Sequence, residues 1–253
     1  MNKYRLILLR HGESLWNLQN RFTGWTDIDL SDNGIIEAKN AGNLLLKERF
    51  NINLIFTSKL KRAISTMELC LNQMKLKNIE THYEWRLNER HYGALQGLNK
   101  TDTAIKYGES KVLNWRRSYD TAPPKVNIDD KRHPKFNNYY KSIKTKELPF
   151  SESLKDTVNR FLPLWDKKIT PSIESGRNIL IVAHGNSIRA LVKILRKISN
   201  QEIINLNIPT GVPLIYELDY DLNVLKDFYL GNQNEINNRI ESVSKEGLKK
   251  LTN

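Results

Sequence analysis

Tyr4-Arg5-Leu6-Ile7-Leu8-Leu9-Arg10-His11-Gly12-Glu13 is an apolar run that stops on a His-Gly pair, and Ile179-Leu180-Ile181-Val182-Ala183-His184-Gly185-Asn186 repeats the arrangement far along the chain. Short apolar runs closed by a turn signal suit strands buried on both faces of a parallel sheet. Each run then delivers an imidazole at its carboxyl end. Ligands of open α/β sheets bind beyond that end, because neighbouring loops diverge there and leave a crevice. The two imidazoles are therefore expected to face one site.

Outward from these runs, Ile35, Ile36, Ala38, Ala41, Leu44 and Leu45 recur at helical spacing, with Ser31 as the expected N-cap. Leu54-Ile55-Phe56-Thr57 reads as a second strand, and Ser58 is expected to open a helix carrying Ala63, Ile64, Met67, Leu71 and Met74 on one face. A weaker third strand lies near Ile79 to Tyr83. Ser151 is expected to open a long amphipathic helix with Leu154, Val158, Phe161, Leu162 and Trp165, kinked at Pro163. Ser187 to Lys197 reads as the helix after the second His-Gly. Pro213 to Asp219 and Val224 to Leu230 read as two edge strands turned by Asp221-Leu222-Asn223. Strands and helices in alternation predict parallel strands with crossover helices, within one domain spanning 1–253. Two stretches stand apart. Residues 123–149 are polar, basic and too long for an ordinary connection, hence a functional loop over a site or a mobile insertion. Residues 231–253 form a polar, charged tail.

The 253 residues are 39% hydrophobic and 27% charged, with a mean hydropathy of −0.56, which is ordinary for a globular protein. No apolar run approaches the ~20 residues of a spanning helix, and the start, Met1-Asn2-Lys3, lacks a targeting pattern. Cytoplasmic residence and no membrane partner are the expectation. The single cysteine, Cys70, excludes an intrachain disulfide and a multi-cysteine zinc site. A net charge of +12 fits a nucleic-acid binder, a membrane-surface protein or an enzyme for anionic substrates. The basic residues are scattered, with neither a basic arm nor an aromatic-basic strand, so nucleic acid is not the expected partner.

A neutral imidazole at a strand end can attack phosphorus. Arg10 beside His11, Arg62 after the second strand and His184 supply positive charge for the phosphoryl oxygens, the dominant need in phosphoryl transfer. Taken singly, each has an ordinary structural reading; the pair of strand-end histidines joined by two arginines favours phosphotransfer. Neither His-Gly segment supplies the G-x-S-x-G elbow of a serine hydrolase. A metal site would need carboxylates around the histidines, which the sequence does not cluster there. Glu89-Arg90-His91-Tyr92-Gly93 places a carboxylate among cationic and phenolic groups, suited to proton transfer or to a surface ion pair. Lys100 and Arg116-Arg117 suit a substrate carboxylate or second phosphate, or plain solvated charge.

Leu9-Arg10-His11-Gly12-Glu13-Ser14, Asn20-Arg21-Phe22-Thr23-Gly24-Trp25, the run Leu87 to Lys100, Ala183-His184-Gly185-Asn186-Ser187 and Ile208-Pro209-Thr210-Gly211-Val212-Pro213 closely resemble the cofactor-dependent phosphoglycerate mutases of the histidine phosphatase superfamily. The resemblance spans about Tyr4 to Gly231. It implies a three-layer αβα sandwich with a mostly parallel central sheet and an antiparallel edge strand. It also implies interconversion of 3-phosphoglycerate and 2-phosphoglycerate, primed by 2,3-bisphosphoglycerate without a metal, in a homodimer or homotetramer. By the same resemblance His11 carries the phosphoryl group, His184 stabilises the transition state and Glu89 is the general acid and base. Arg10, Arg62 and Asn17 hold the transferring group with Asn186 and the Gly185 backbone. Ser14, Thr23, Gly24, Arg90, Tyr92, Lys100, Arg116 and Arg117 line the rest of the pocket. Minor bisphosphoglycerate synthase and phosphatase activities are within the same expectation. The basic 123–149 segment and the tail after Gly231, with Lys245, Lys249 and Lys250, depart from the family pattern, and the tail is expected to close over the site.

Overall fold

The computed structural model describes residues 4–245. In chain order its elements are strand β1 (Tyr4–Arg10), helices α1 (Leu15–Leu18) and α2 (Asp32–Lys47), β2 (Leu54–Thr57), α3 (Lys61–Gln73), β3 (Glu80–Tyr83), α4 (Lys100–Tyr107) and α5 (Glu109–Arg117). There follow α6 (Leu154–Leu164), α7 (Thr170–Glu174), β4 (Ile179–Ala183), α8 (Gly185–Arg196), β5 (Pro213–Leu218), β6 (Val224–Tyr229) and α9 (Gln233–Lys245). The six strands form one sheet in the order β3-β2-β4-β1-β5-β6. β3, β2, β4 and β1 are parallel. The expected antiparallel edge is a hairpin: β5 runs against β1, and β6 pairs antiparallel with β5 and closes the sheet.

Strand side chains alternate between faces, and the core divides accordingly. Leu6, Leu8, Phe56, Ile179 and Ile181 pack with Phe161, Ile173 and Leu191 of α6, α7 and α8. Ile7, Leu9, Ile55, Leu180 and Val182 pack with Ala41 and Leu45 of α2 and Ala63, Met67 and Cys70 of α3. The central strands are therefore apolar throughout, and three layers result.

Ser31 caps α2 as expected, its Oγ accepting from Gly34 N. Ser58 does not cap α3, which begins at Lys61 without a side-chain cap; its hydroxyl is committed to the site described below. α6 begins at Leu154 rather than Ser151, because Ser153 and Asp156 form a capping box. Pro163 lies inside α6, and a π-turn, Trp165–Ile169, follows and joins it to α7.

Residues 123–149 are a docked loop. Val126, His133, Tyr140 and Leu148 are buried, Tyr140 Oη accepts from Asn88 Nδ2 at 2.7 Å, and Arg132 Nη1 donates to the carbonyls of Ala94 and Gln96. The loop thus packs on the Leu87 to Lys100 run. The polar tail is helical over α9 with Ile236 buried against the body. Among the described residues no helix is long and apolar enough to cross a membrane.

The turn after β1 packs backbone to backbone on the start of α2. A Cβ on Gly34 would lie 2.0 Å from the Glu13 carbonyl oxygen, and one on Gly12 would lie 2.2 Å from that of Gly34. Alanine within a helix normally gains about 1 kcal/mol over glycine. Gly34→Ala is nevertheless expected to destabilise the fold by about 1–3 kcal/mol, the range for overpacking, read as a lower urea midpoint at unchanged slope. A variant as stable as the parent would show that this contact does not constrain the turn.

Candidate active site

β1 and β4 are neighbours, with Arg10 opposite Ala183 in register, so the residues that follow them, His11 and His184, emerge side by side. His11 N donates to the Ala183 carbonyl at 3.0 Å, and the two rings lie 4.9 Å apart between centroids. His11 Nδ1 is 2.6 Å from the Gly12 carbonyl, an acceptor only, which places the ring proton on Nδ1 and leaves the Nε2 lone pair available. Arg62 Nε donates to Nε2 at 3.3 Å. Burial first, then Arg62 and Arg10, push the His11 pKa well below the ordinary imidazole value. His184 is lowered likewise by burial, then by Arg62, His11 and Arg10. Its Nε2 is 2.7 Å from Ser58 Oγ. Both rings are neutral near pH 7.

Arg62, from the first turn of α3, is 1% exposed and donates Nη2 to the Gly24 carbonyl and Nη1 to that of Thr26. Burial lowers its pKa to about 10, so it stays charged at neutral pH. Gly24 has φ +56°, and a Cβ there would lie 2.2 Å from Gln96 Oε1, which accepts from Trp25 N. Arg10 Nη1 donates to the Ile208 carbonyl at 2.6 Å. Glu89 Oε1 accepts from Arg90 N at 2.7 Å and from Asn186 N, in the first turn of α8, at 3.2 Å. The positive end of α8 thus opens on the cavity, a disposition that favours anions. Tyr92 Oη accepts from Arg90 Nη2 and Asn186 Nδ2. Burial would raise the Tyr92 pKa, but Arg90 beside it, with Arg116, holds it below the usual phenol value.

The cavity is lined by Arg10, His11, Asn17, Thr23, Gly24, Arg62, Glu89, Tyr92, Lys100, Arg116, Arg117, Gly185 and Asn186, which the sequence had singled out. Three expected residues do not line it. His184 stands beside His11, Arg90 is fully buried and donates to the Arg116 carbonyl, and Ser14 caps α1 and donates to Asn17 Oδ1. The Ser14 contacts fix the side chain of Asn17, which lines the cavity.

Arg21, Phe22, Arg189, Ile208 and Val243 line the cavity as well and had not been anticipated. Arg189 follows His184 by five residues on α8, the one signal that sequence offered. It is 3% exposed and donates to Asn186 Oδ1 and to the Arg117 and Ile203 carbonyls, while burial, then Arg117 and Arg90, lower its pKa to about 9. Val243 belongs to α9, and its carbonyl accepts from Arg117 Nη2 at 2.9 Å. Arg239 of α9 reaches Glu37 at 3.0 Å. The tail helix is therefore one wall of the cavity. Lys245 pairs with Glu241 along the helix, and Lys249 and Lys250 lie outside the described residues.

Seven cationic side chains and one carboxylate line this cavity. Arg10 Nε, Arg90 Nε and Nη1, and Arg189 Nε are buried and have no hydrogen-bond partner among the described residues. Buried donors of this kind suit an anion rich in oxygen. Among the described residues no group of three His, Cys, Asp or Glu is placed to hold a metal ion.

The sequence profile of the histidine phosphatase superfamily (branch 1) matches residues 6–229. Among solved structures, a mycobacterial glucosyl-3-phosphoglycerate phosphatase is 24% identical with a TM-score of 0.67, the match covering 90% of this chain and 97% of that one. Bacillus stearothermophilus YhfR is 21% identical with a TM-score of 0.66, covering 87% and 93%. The alpha-ribazole phosphatase from Shigella flexneri is 20% identical with a TM-score of 0.62, covering 90% and 96%. At these identities the likeness is one of fold.

The lowered histidine pKa values have a direct readout. In the ligand-free protein, nitrogen NMR of the imidazoles is expected to show His11 and His184 neutral as the pH falls from 8 to 6, with no inflection near the usual value. Arg62→Gln should move the His11 transition upward, because it removes a neighbouring cation and a donor to Nε2. An ordinary His11 titration in the parent protein would contradict the site electrostatics.

Proposed function

The chain belongs to the histidine phosphatase superfamily, branch 1, and on that footing we propose that it is a 2,3-bisphosphoglycerate-dependent phosphoglycerate mutase. It would interconvert 3-phosphoglycerate and 2-phosphoglycerate through a phosphohistidine on His11. The observation that carries this reading is the surplus of cations around two centres. Arg10 and Arg62 stand at His11, whereas Arg90 and Arg117 stand beside Arg189. One group suffices for a transferring phosphoryl; the second suits a further phosphate or carboxylate on the same ligand.

The unsatisfied donors of Arg10 and Arg189, both in the cavity wall, fit a doubly phosphorylated carboxylate, and Arg10, Arg62, Asn17, Lys100, Arg116 and Arg117 would hold it. When bound, 2,3-bisphosphoglycerate supplies the phosphoryl group that loads His11. In each transfer His11 Nε2 forms the N–P bond as the ester P–O bond breaks, and Glu89 gives a proton to the departing alkoxide. In the reverse direction Glu89 takes the proton from the attacking hydroxyl while the phosphoryl leaves Nε2. Arg10, Arg62 and His184 carry the charge that develops on the phosphoryl oxygens, a task that metal ions perform in other phosphoryl transfers. Cytoplasmic residence, a homodimer or homotetramer, and the absence of nucleic-acid, membrane and metal partners belong to the same proposal.

A phosphatase on the same scaffold is the second reading. It is favoured by the structural neighbours, among them the glucosyl-3-phosphoglycerate phosphatase and the alpha-ribazole phosphatase. It would use His11 in the same way and lose the phosphoryl group to water. A coupled assay of 3-phosphoglycerate conversion, with and without 2,3-bisphosphoglycerate, separates the two. Isomerisation should need the bisphosphate and exceed phosphate release, the protein should gain one acid-labile phosphoryl group, and His11→Ala should abolish both. Phosphate release faster than isomerisation would make the protein a phosphatase.

Because α9 walls the cavity, truncation after Leu230 is expected to lower mutase turnover and to raise the ratio of bisphosphate hydrolysis to isomerisation. An unchanged ratio in a folded truncation would show that the tail does not keep water from the phosphohistidine.

A further inference from the structure

Arg160, on α6, is separated from the Leu87 to Lys100 run by some sixty residues of chain, yet its guanidinium makes six hydrogen bonds to the segment that carries Glu89 and to Glu152. Nη1 donates to the Trp85 and Arg86 carbonyls at 3.2 and 2.7 Å. Nη2 donates to the Asn88 and Glu89 carbonyls at 3.1 and 3.3 Å, and to Glu152 Oε2 at 3.0 Å. Nε donates to Glu152 Oε1 at 2.6 Å. Glu152 Oε2 also accepts from His91 N at 2.8 Å, so the pair holds the backbone on both sides of Glu89. Beneath the guanidinium lies the Trp25 ring, 5.4 Å from Cζ, and Trp25 Nε1 donates to the same Glu89 carbonyl at 2.6 Å. All five N–H groups of Arg160 are engaged, and both side chains of the pair are nearly inaccessible, at 6% and 4%.

We infer that Arg160, clamped by Glu152, is a positioning residue that fixes the Glu89 carboxylate for proton transfer, an inference that rests on Glu89 being the general acid and base. Arg160 does not line the cavity. It acts through four consecutive-region carbonyls, which a planar fork can bridge and a point charge cannot. The pose of the carboxylate depends on that backbone. Glu89 Oε1 is tied to Arg90 N and Asn186 N, and a rotation of the 89–90 peptide, whose carbonyl accepts from Arg160 Nη2 and Trp25 Nε1, would release the first of these bonds. A general acid acts only within hydrogen-bond reach of its proton acceptor.

The test uses the leaving group. An alkoxide, as from 3-phosphoglycerate, needs a proton as it departs, whereas nitrophenolate, from p-nitrophenyl phosphate, does not. The single-turnover rate at which each ester phosphorylates His11 is measured for the full chain and for Arg160→Gln, Arg160→Lys and Glu89→Gln, with circular dichroism and thermal unfolding as checks of fold. In both Arg160 variants, the phosphorylation rate from 3-phosphoglycerate is expected to fall about 10- to 100-fold, up to the lower part of the range for a lost general acid. KM and the rate on p-nitrophenyl phosphate should stay within about threefold, since nucleophile and anion contacts are untouched. Glu89→Gln should show the same selective loss, and adding Arg160→Lys to it should cost little more. Arg160→Lys, the milder change, keeps the comparison available where Arg160→Gln does not fold. Equal losses on both esters, or full activity on both, would overturn the role given to Arg160. A selective loss absent from Glu89→Gln itself would overturn the Glu89 reading and the inference with it. Neither result depends on whether the chain is a mutase or a phosphatase.

Discussion

The parallel pairing of β1 with β4 is the constraint on which the rest of the structure depends. With Arg10 opposite Ala183, both strands end at one height and both imidazoles enter one crevice. A register slip of one residue would turn His11 to the other face of the sheet, because side chains alternate with a period of two. The register is held from above and below. Each central strand buries apolar groups on both faces, and the turn after β1 has no room to move, since Gly12 and Gly34 pack at backbone contact and Gly12 N is bonded to Thr66 Oγ1.

On that frame the chain assembles buried cations almost without carboxylates. Arg62 rests on the carbonyls of Gly24 and Thr26, Arg10 on that of Ile208, Arg90 on that of Arg116, and Arg189 on those of Arg117 and Ile203. A carbonyl accepts a hydrogen bond without cancelling the charge of its donor. An ion pair would have satisfied the same guanidinium groups and neutralised the site. Arg160 illustrates the alternative. Its Glu152 partner removes most of its field, which suits a group whose work is to hold a backbone and not to bind an anion.

The parts legible in the sequence were those with a strong local pattern: the apolar strands, the Ser31 cap and the cations adjacent to His-Gly or to Tyr92. Ser58 reads as a helix start because a serine before a helix looks the same whether it caps a turn or meets a histidine 126 residues away. Arg189 and Arg160 give no signal in the sequence because most of their acceptors are backbone oxygens, which leave no trace in residue identity. The 123–149 segment was left open between a functional loop and a mobile insertion for a related reason. Its order comes from a few anchors, Tyr140 on Asn88 and Arg132 on the Ala94 and Gln96 carbonyls, spread through a polar stretch with no period. Among the described residues α9 carries a single buried anchor, Ile236, and it is also held through Arg117 and Arg239.

Cations buried in a cavity lose hydration and repel their like neighbours: burial lowers the proton affinity of Arg62 and Arg189, and Arg117 and Arg90 lower that of Arg189 further. The fold therefore works against its own site whenever the site lacks an anion. Thermodynamic linkage turns this around: a ligand bound only by the native state adds RT ln(1 + [L]/Kd) to stability, about 2.7 kcal/mol at a hundredfold excess over Kd. The resistance of this protein to heat and to proteases is then partly a property of its surroundings, rising and falling with the concentration of the phosphate esters dissolved around it.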